Sequence, residues 1–204
     1  MKKLSRKERE FLRHRGEILD VALELFSKRG FHNVTMHEIA RDSEFSVGTL
    51  YKFFANKEDL YKALFLEKAE EFSLVMQEAI EKSEDEMSAI RTFIDQHIKL
   101  FMKNLRFVQL YLAETRGARF NIGMGMEKEI RQKHRVFLTK LSAVFKKGIE
   151  KGIFEDIDPY LLAIGLEGVI HAFLFNYLED PQSHPFDTEL IMNLFFGKVL
   201  RNAD

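Results

Sequence analysis

The chain has 204 residues, 46% of them hydrophobic and 31% charged, with a net charge of −1 and no cysteine. That is apolar material for one large or two small packed domains, and the lack of cysteine removes disulfides and thiolate metal sites. The opening MKKLSRKERE is basic with no apolar run behind it, so it does not read as a secretory signal. No uncharged apolar run reaches the ~20 residues of a bilayer span, the most apolar stretch being Gly168 to Leu178. A soluble cytoplasmic protein with no membrane partner is expected.

The three prolines stand at 159, 181 and 185, and no strand-like alternation is visible. The pattern predicts an all-α fold of about nine helices. Ser5 and Glu8 have capping-box spacing and start the first helix. Arg6, Lys7, Arg9, Arg13 and Arg15 make its opening basic, and Ile18, Val21, Ala22, Leu25 and Phe26 recur at helical spacing. Gly30 ends it with a left-handed cap. Thr35 to Tyr61 then reads TMHEIARDSEFSVGTLYKFFANKEDLY. Thr35 and Glu38 form a second capping box, with Ile39 and Ala40 inward and Arg41 and Asp42 outward. The chain turns through Ser43, Glu44 and Phe45. Ser46 caps a helix whose apolar side holds Val47, Leu50, Phe53 and Phe54. Asn56 caps the next, with Glu58 and Asp59 in its first turn, where the helix dipole favours acids. Helix, short turn, helix is the shape that sets a second helix in a DNA major groove. Charge agrees: residues 1–62 hold 13 Lys+Arg against 10 Asp+Glu, and the remainder 18 against 22. The basic end is therefore the end suited to phosphate.

Helix four is expected from Asn56 to about Lys82, as a mechanical link, and Ser83 to Glu86 as a polar break. Helix five runs from Met87 to about Asn104 and helix six from about Arg106 to Thr115. Gly117 to Gly125 reads as a mobile loop, followed by helix seven over about Met126 to Lys151, closed by Gly152. Asp158 caps helix eight, with Pro159 at its first position. This helix runs to about Leu178 and is apolar on most faces, so burial all round is expected. Asp187 caps helix nine, which ends near Leu200.

Thr35, Ile39, Ala40, Ser46, Gly48, Thr49, Leu50, Tyr51, Phe54, Lys57, Glu58 and Leu60 resemble, in order and spacing, the DNA-binding signature of the tetracycline-repressor (TetR) family. The resemblance spans about Ile18 to Leu64. Two positions depart. Glu44 stands where the family usually has a turn glycine, at a cost of roughly 1 kcal/mol if the turn is left-handed. Phe53 stands where histidine is frequent and removes a polar side chain from the DNA-facing helix. The resemblance implies a three-helix DNA-binding domain over residues 1–55 and a ligand-binding and dimerisation domain over 56–204. It implies a homodimeric repressor on a near-palindromic duplex operator, released by a small hydrophobic or amphipathic molecule. Ser46, Thr49, Tyr51 and Lys57 are similar to the family's phosphate-binding side chains, and Thr35 adds a hydroxyl at a helix start. Base edges would fall to His37, Val47, Gly48, Thr49 and Lys52, with the Val47 side chain or Thr49 methyl suited to a thymine methyl. Phe45, Leu50 and Phe54 read as core of the module.

In the C-terminal part, Phe93, His97, Phe101, Phe107, Tyr111, Phe120, Met124, His134, Phe137, Leu141, Glu167, His171 and Phe175 are candidates to line an apolar pocket with a few polar groups. For any one of these phenylalanines, plain core packing is the favoured reading over pocket lining. His97, His134 and His171 fall on three helices, but no spacing demands a metal, and no cofactor is expected. The resemblance implies that helices eight and nine pair between subunits, with Ile164, Gly165, Gly168, Val169, Ala172, Leu190, Leu194, Phe195 and Val199 along the seam. Two rival classes are a protein-binding co-regulator and a helical enzyme. The enzyme has no phosphate loop and no recognised His/acid spacing to support it.

Overall fold

The computed structural model describes residues 4–116, 123–183 and 186–197. Among the described residues there are nine α-helices and no strand: α1 (Arg6–Arg29), α2 (Met36–Asp42), α3 (Val47–Phe53), α4 (Lys57–Glu81), α5 (Glu86–Lys103), α6 (Leu105–Arg116), α7 (Gly123–Glu150), α8 (Pro159–Glu179) and α9 (Thr188–Phe196). They form two compact units. One is the chain up to Lys68 together with Asn104–Glu127, and the other is Ala69–Lys103 together with the chain from Lys128 onward. These units do not follow the expected cut at residues 55 and 56. The unbroken helix α4 gives its first half to one unit and its second half to the other, and α6 belongs with the N-terminal helices.

In the first unit the polar punctuation behaves as the sequence suggests. The Ser5 hydroxyl accepts from the Glu8 amide while the Glu8 carboxylate accepts from the Ser5 amide. Gly30 takes φ 77° and ψ 155°. The positive φ was expected, but the ψ is extended rather than helical, in a region open essentially to glycine alone. A short 3₁₀ turn, Phe31–Asn33, follows it and was not anticipated. Ile18, Leu19, Ala22 and Phe26 of α1 are buried, as are Ile39, Ala40, Leu50 and Phe54, and α1 packs on α2 and α2 on α3. Phe26, Phe31, Tyr61 and Phe65 form one ring cluster with centroids 4.6–5.5 Å apart. Each large apolar side chain so buried contributes about 1.5–3 kcal/mol. Phe45 differs from the expectation of core: it is half-buried, edge-on to His14 and tilted against Phe53.

In the second unit α5 turns Ile90, Phe93, Ile94, His97 and Phe101 inward, and α8 turns Leu162, Leu166, Ile170 and Leu174 inward. Phe145, Phe154 and Phe196 pack ring on ring. Gly148 is required there, because a Cβ would lie 2.2 Å from the Phe154 ring. Asp158 and Asp187 cap α8 and α9 through backbone amides, and Pro159 opens α8 as expected. By length and composition α8 is apolar enough to cross a bilayer. The expectation that it is buried on all sides is overturned. Leu161, Ile164, Gly168 and Ala172 make an outward apolar face, with Leu161 63% exposed. The helix is apolar on most faces, and apolar character alone does not say which face finds a partner within the same chain. Helix α7 begins at Gly123, inside the stretch expected to be loop. The rest of that stretch, 117–122, lies outside the described residues.

Candidate nucleic-acid interface

Helices α2 and α3 meet through a turn held by backbone bonds. The Phe45 amide donates to the Ala40 carbonyl at 2.9 Å, and the Ser43 hydroxyl donates to the Ile39 carbonyl at 2.6 Å. Glu44 sits at φ 60°, the left-handed conformation inferred from its alignment with a turn glycine. The floor under α3 is Leu50 and Phe54, both buried. With that floor fixed, Gly48, Tyr51 and Lys52 are exposed on the outer side of the helix, and His37 is exposed on α2. Nothing lies within 4 Å of where a Gly48 Cβ would be, so a groove could approach its backbone closely. Ser46 accepts from the Thr49 amide at 3.1 Å and shares a hydrogen bond of 2.8 Å with the Thr49 hydroxyl. The α3 start is thus capped, and its two hydroxyls are held side by side. Val47 is half-buried at the same end.

Two expected phosphate ligands are occupied within the fold. The Thr35 hydroxyl donates to Glu38 at 2.8 Å and accepts from the Glu38 amide at 3.3 Å. Arg29 bonds the same carboxylate at 2.7 Å. The Arg29 bond, then those from Thr35, hold the Glu38 carboxyl down to a pKa of about 2. Lys57 donates to the carbonyls of Phe31 and Val34, each at 2.8 Å, and its ammonium lies 4.3 Å from the centre of the Phe31 ring. Lys57 therefore ties the start of α4 to the α1–α2 connection, with one N–H left over. Sequence reasoning missed this, since the partners are 26 and 23 residues away. Phe53 is not a vacant substitution either. Its ring stacks on Phe11 of α1 at 4.6 Å, a pair that no local pattern announced.

The second unit gathers part of the expected pocket. Phe93, His97 and Phe137 pack together with Phe72, and His97 lies edge-on to His171, which stacks on Phe175. Phe101 and Leu141 are buried in the same unit. Phe72 was missed because α4 was read as a link and not as a lining element. His134 bonds both oxygens of the buried Glu167, at 2.7 and 2.9 Å, which raises the His134 pKa. Burial, with repulsion from His171, pushes His97 down to about 3, and burial also lowers His171. The His97 Nδ1 has no hydrogen-bond partner among the described residues. Among the described residues no group of three or more His, Asp or Glu side chains is placed to hold a metal. A hollow lined by Ser73, Gln77, Ile80, Val136, Phe137 and Lys140 has room for about one water molecule. Phe107 is not part of this cluster; it stacks on Phe65 in the first unit. Phe120 lies outside the described residues, as do the side chains of Tyr111 and Met124.

Of the expected seam, Ile164, Gly168, Ala172, Leu190 and Leu194 are exposed, and Val169 is half-buried. Gly165 and Phe195 serve the chain itself: a Cβ at Gly165 would lie 3.3 Å from the Phe195 ring. Val199 is outside the described residues.

A capped helix, a tight turn and a second short helix with an open polar face on a buried apolar floor define a helix-turn-helix DNA-binding protein. Residues 18–64 match the family described as bacterial regulatory proteins, tetR family. A fatty acid metabolism regulator protein of Bacillus subtilis is 27% identical over 172 residues, covering 82% of this chain and 85% of that one. The fold matches the transcriptional regulator FadR of Bacillus subtilis in complex with stearoyl-CoA, with TM-score 0.70, 24% identity, and 89% and 95% of the two chains covered. It also matches the fatty acid degradation regulator FadR of Bacillus halodurans, with TM-score 0.72, 21% identity, and 96% and 95% covered. Residues 18–64 therefore carry a DNA-binding domain of the tetR type, and the described residues share the fold of transcriptional regulators of that family.

Proposed function

We infer that this regulator is a cytoplasmic homodimeric repressor that leaves its operator when an amphipathic molecule with a long apolar tail enters the second unit. The operator-binding helices α1 to α3 lie within residues 1–55 of the first unit, and the second unit binds the ligand and the second subunit. The observation that carries the reading is the outer face of α3, where Gly48, Tyr51 and Lys52 stand clear over a floor of Leu50 and Phe54. A two-fold pair of such heads suits a near-palindromic site. The outward apolar face of α8, with Leu190 and Leu194 of α9, is the surface that a second copy would cover. The ring cluster around His97 suits the apolar tail, and the fatty-acid regulators among the relatives favour a long-chain acyl thioester. Ligand control then requires that the tail bind better to the conformation whose heads fit the operator worse. Helix α4, shared by both units, carries the shift.

The test uses a duplex selected from a random pool by the purified chain, with binding followed by fluorescence anisotropy. Micromolar stearoyl-CoA should release the duplex, and Ile164→Glu should convert a sedimenting dimer to monomer and weaken binding. Failure to bind any duplex in dilute salt overturns the reading. Binding that ignores acyl thioesters removes the ligand class only.

A further inference from the structure

Five cations of the first unit are paired with a carboxylate: Arg13 with Glu17, Arg15 with Glu67, Lys28 with Glu24, Arg29 with Glu38, and Arg41 with Asp42. The first turn of α1 makes no such pair with any described residue. Arg6 and Lys7 are exposed and make no hydrogen bond or ion pair to any described residue, and Arg9 donates only to the Leu4 carbonyl, at 2.7 Å. Lys52, at the other end of the same surface, is likewise exposed and unpaired. The three α1 cations precede the stretch that matches the family, which begins at residue 18.

This turn of helix is held in place. The Ser5–Glu8 capping box sets where the helix begins. One turn further on, Phe11 stacks on Phe53, in the last turn of α3 and next to Lys52, with centroids 4.6 Å apart and planes 29° from parallel. Lys7 is four residues before Phe11 and so lies on the same face, about 6 Å nearer the helix start. Phe11 remains 47% exposed, so the ring pair makes little core and its effect is to fix direction. An isolated helix end bearing three unpaired cations would repel itself and fray; one clipped to the helix that enters the groove meets a row of phosphates. Like-charged groups left unpaired beside a DNA-reading helix are suited to an anionic partner with regular spacing, and the duplex backbone is that partner.

We propose that Arg6, Lys7 and Arg9 form a second backbone contact, gripping phosphates that flank the groove entered by α3, and that the Phe11–Phe53 stack holds them there. The contact rests on the DNA-binding reading above and adds to it residues outside the helix-turn-helix. It positions without reading sequence. The departure from histidine at position 53 thereby exchanges one polar contact on α3 for several charges brought in by α1.

The test is the salt dependence of duplex binding by the full chain, with the selected duplex extended by several base pairs on each side. The triple variant Arg6→Gln, Lys7→Gln, Arg9→Gln should lower the slope of log affinity against log salt by about 2–3, at about 0.9 per phosphate lost, with sequence preference unchanged. Phe11→Ala keeps every charge and should lower the slope by part of that amount. A triple variant with the slope of the parent overturns the contact. A parent-like Phe11→Ala overturns the clip. A parent chain that binds no duplex overturns the DNA reading itself, so the two failures are distinguishable.

Discussion

Lys57→Met separates a structural lysine from a phosphate ligand. In the fold the ammonium donates to two carbonyls at 2.8 Å and sits 4.3 Å from an aromatic centre. Hydrogen bonds from a charged donor contribute about 1.5–3 kcal/mol each, and a cation over a ring about 0.5–1 kcal/mol when partly exposed. The two hydrogen bonds share one ammonium and the site is half-open, so the sum is an upper bound. Methionine keeps most of the stem volume but leaves both carbonyls without their donor. The expected loss is about 2–4 kcal/mol. Urea unfolding followed by helical circular dichroism, at one fixed protein concentration, measures it. Lys52→Met is the control, because Lys52 is exposed and unpaired, and should move stability by less than about 0.5 kcal/mol. Equal effects of the two substitutions would refute the structural role and return Lys57 to the phosphate ligands alone.

Two further outcomes follow from the same geometry. Glu44→Gly relieves the φ of 60° and should stabilise by about 0.5–1 kcal/mol after the extra flexibility of glycine in the unfolded chain is subtracted; a lower urea midpoint would contradict the strain. His97 is held neutral to about pH 3, mainly by burial and then by His171, while an unfolded histidine takes its proton near pH 6.5. Its share of stability is complete above pH 6.5 and is lost as pH falls toward 3, at up to about 1.4 kcal/mol per pH unit. His134, Glu167 and His171 face the same cluster and are kept in the variant. His97→Phe should therefore flatten the stability profile between pH 6.5 and 4.5, and an unchanged difference between those pH values would sink the argument.

What the sequence made legible was local. Capping residues act within three positions, so Ser5, Thr35, Ser46, Asn56, Asp158 and Asp187 could be assigned before any tertiary contact was known, and each accepts the amide expected of it. The buried Leu50 and Phe54 followed from helical spacing for the same reason. What stayed hidden depends on which distant surfaces meet. Lys57 reads as a solvated charge until Phe31 and Val34 are placed beneath it. Phe11 falls outside the apolar repeat of α1 and is explained only by Phe53. Gly165 looked like a point of approach for a second chain, and the ring of Phe195 from its own chain fills that place. For α8 the periodicity alone carried no marker of the face left open, and it was the family resemblance that set Ile164, Gly168 and Ala172, all exposed in the single chain, along an expected seam.

Helix α4 contains neither glycine nor proline across its 25 residues. Its backbone ladder therefore runs without a built-in breaker. A proline set anywhere in its interior would delete one rung and push against the turn before it, at about 3 kcal/mol or more. Side chains along the rod can be exchanged, but not for the one residue type that closes a ring onto its own nitrogen.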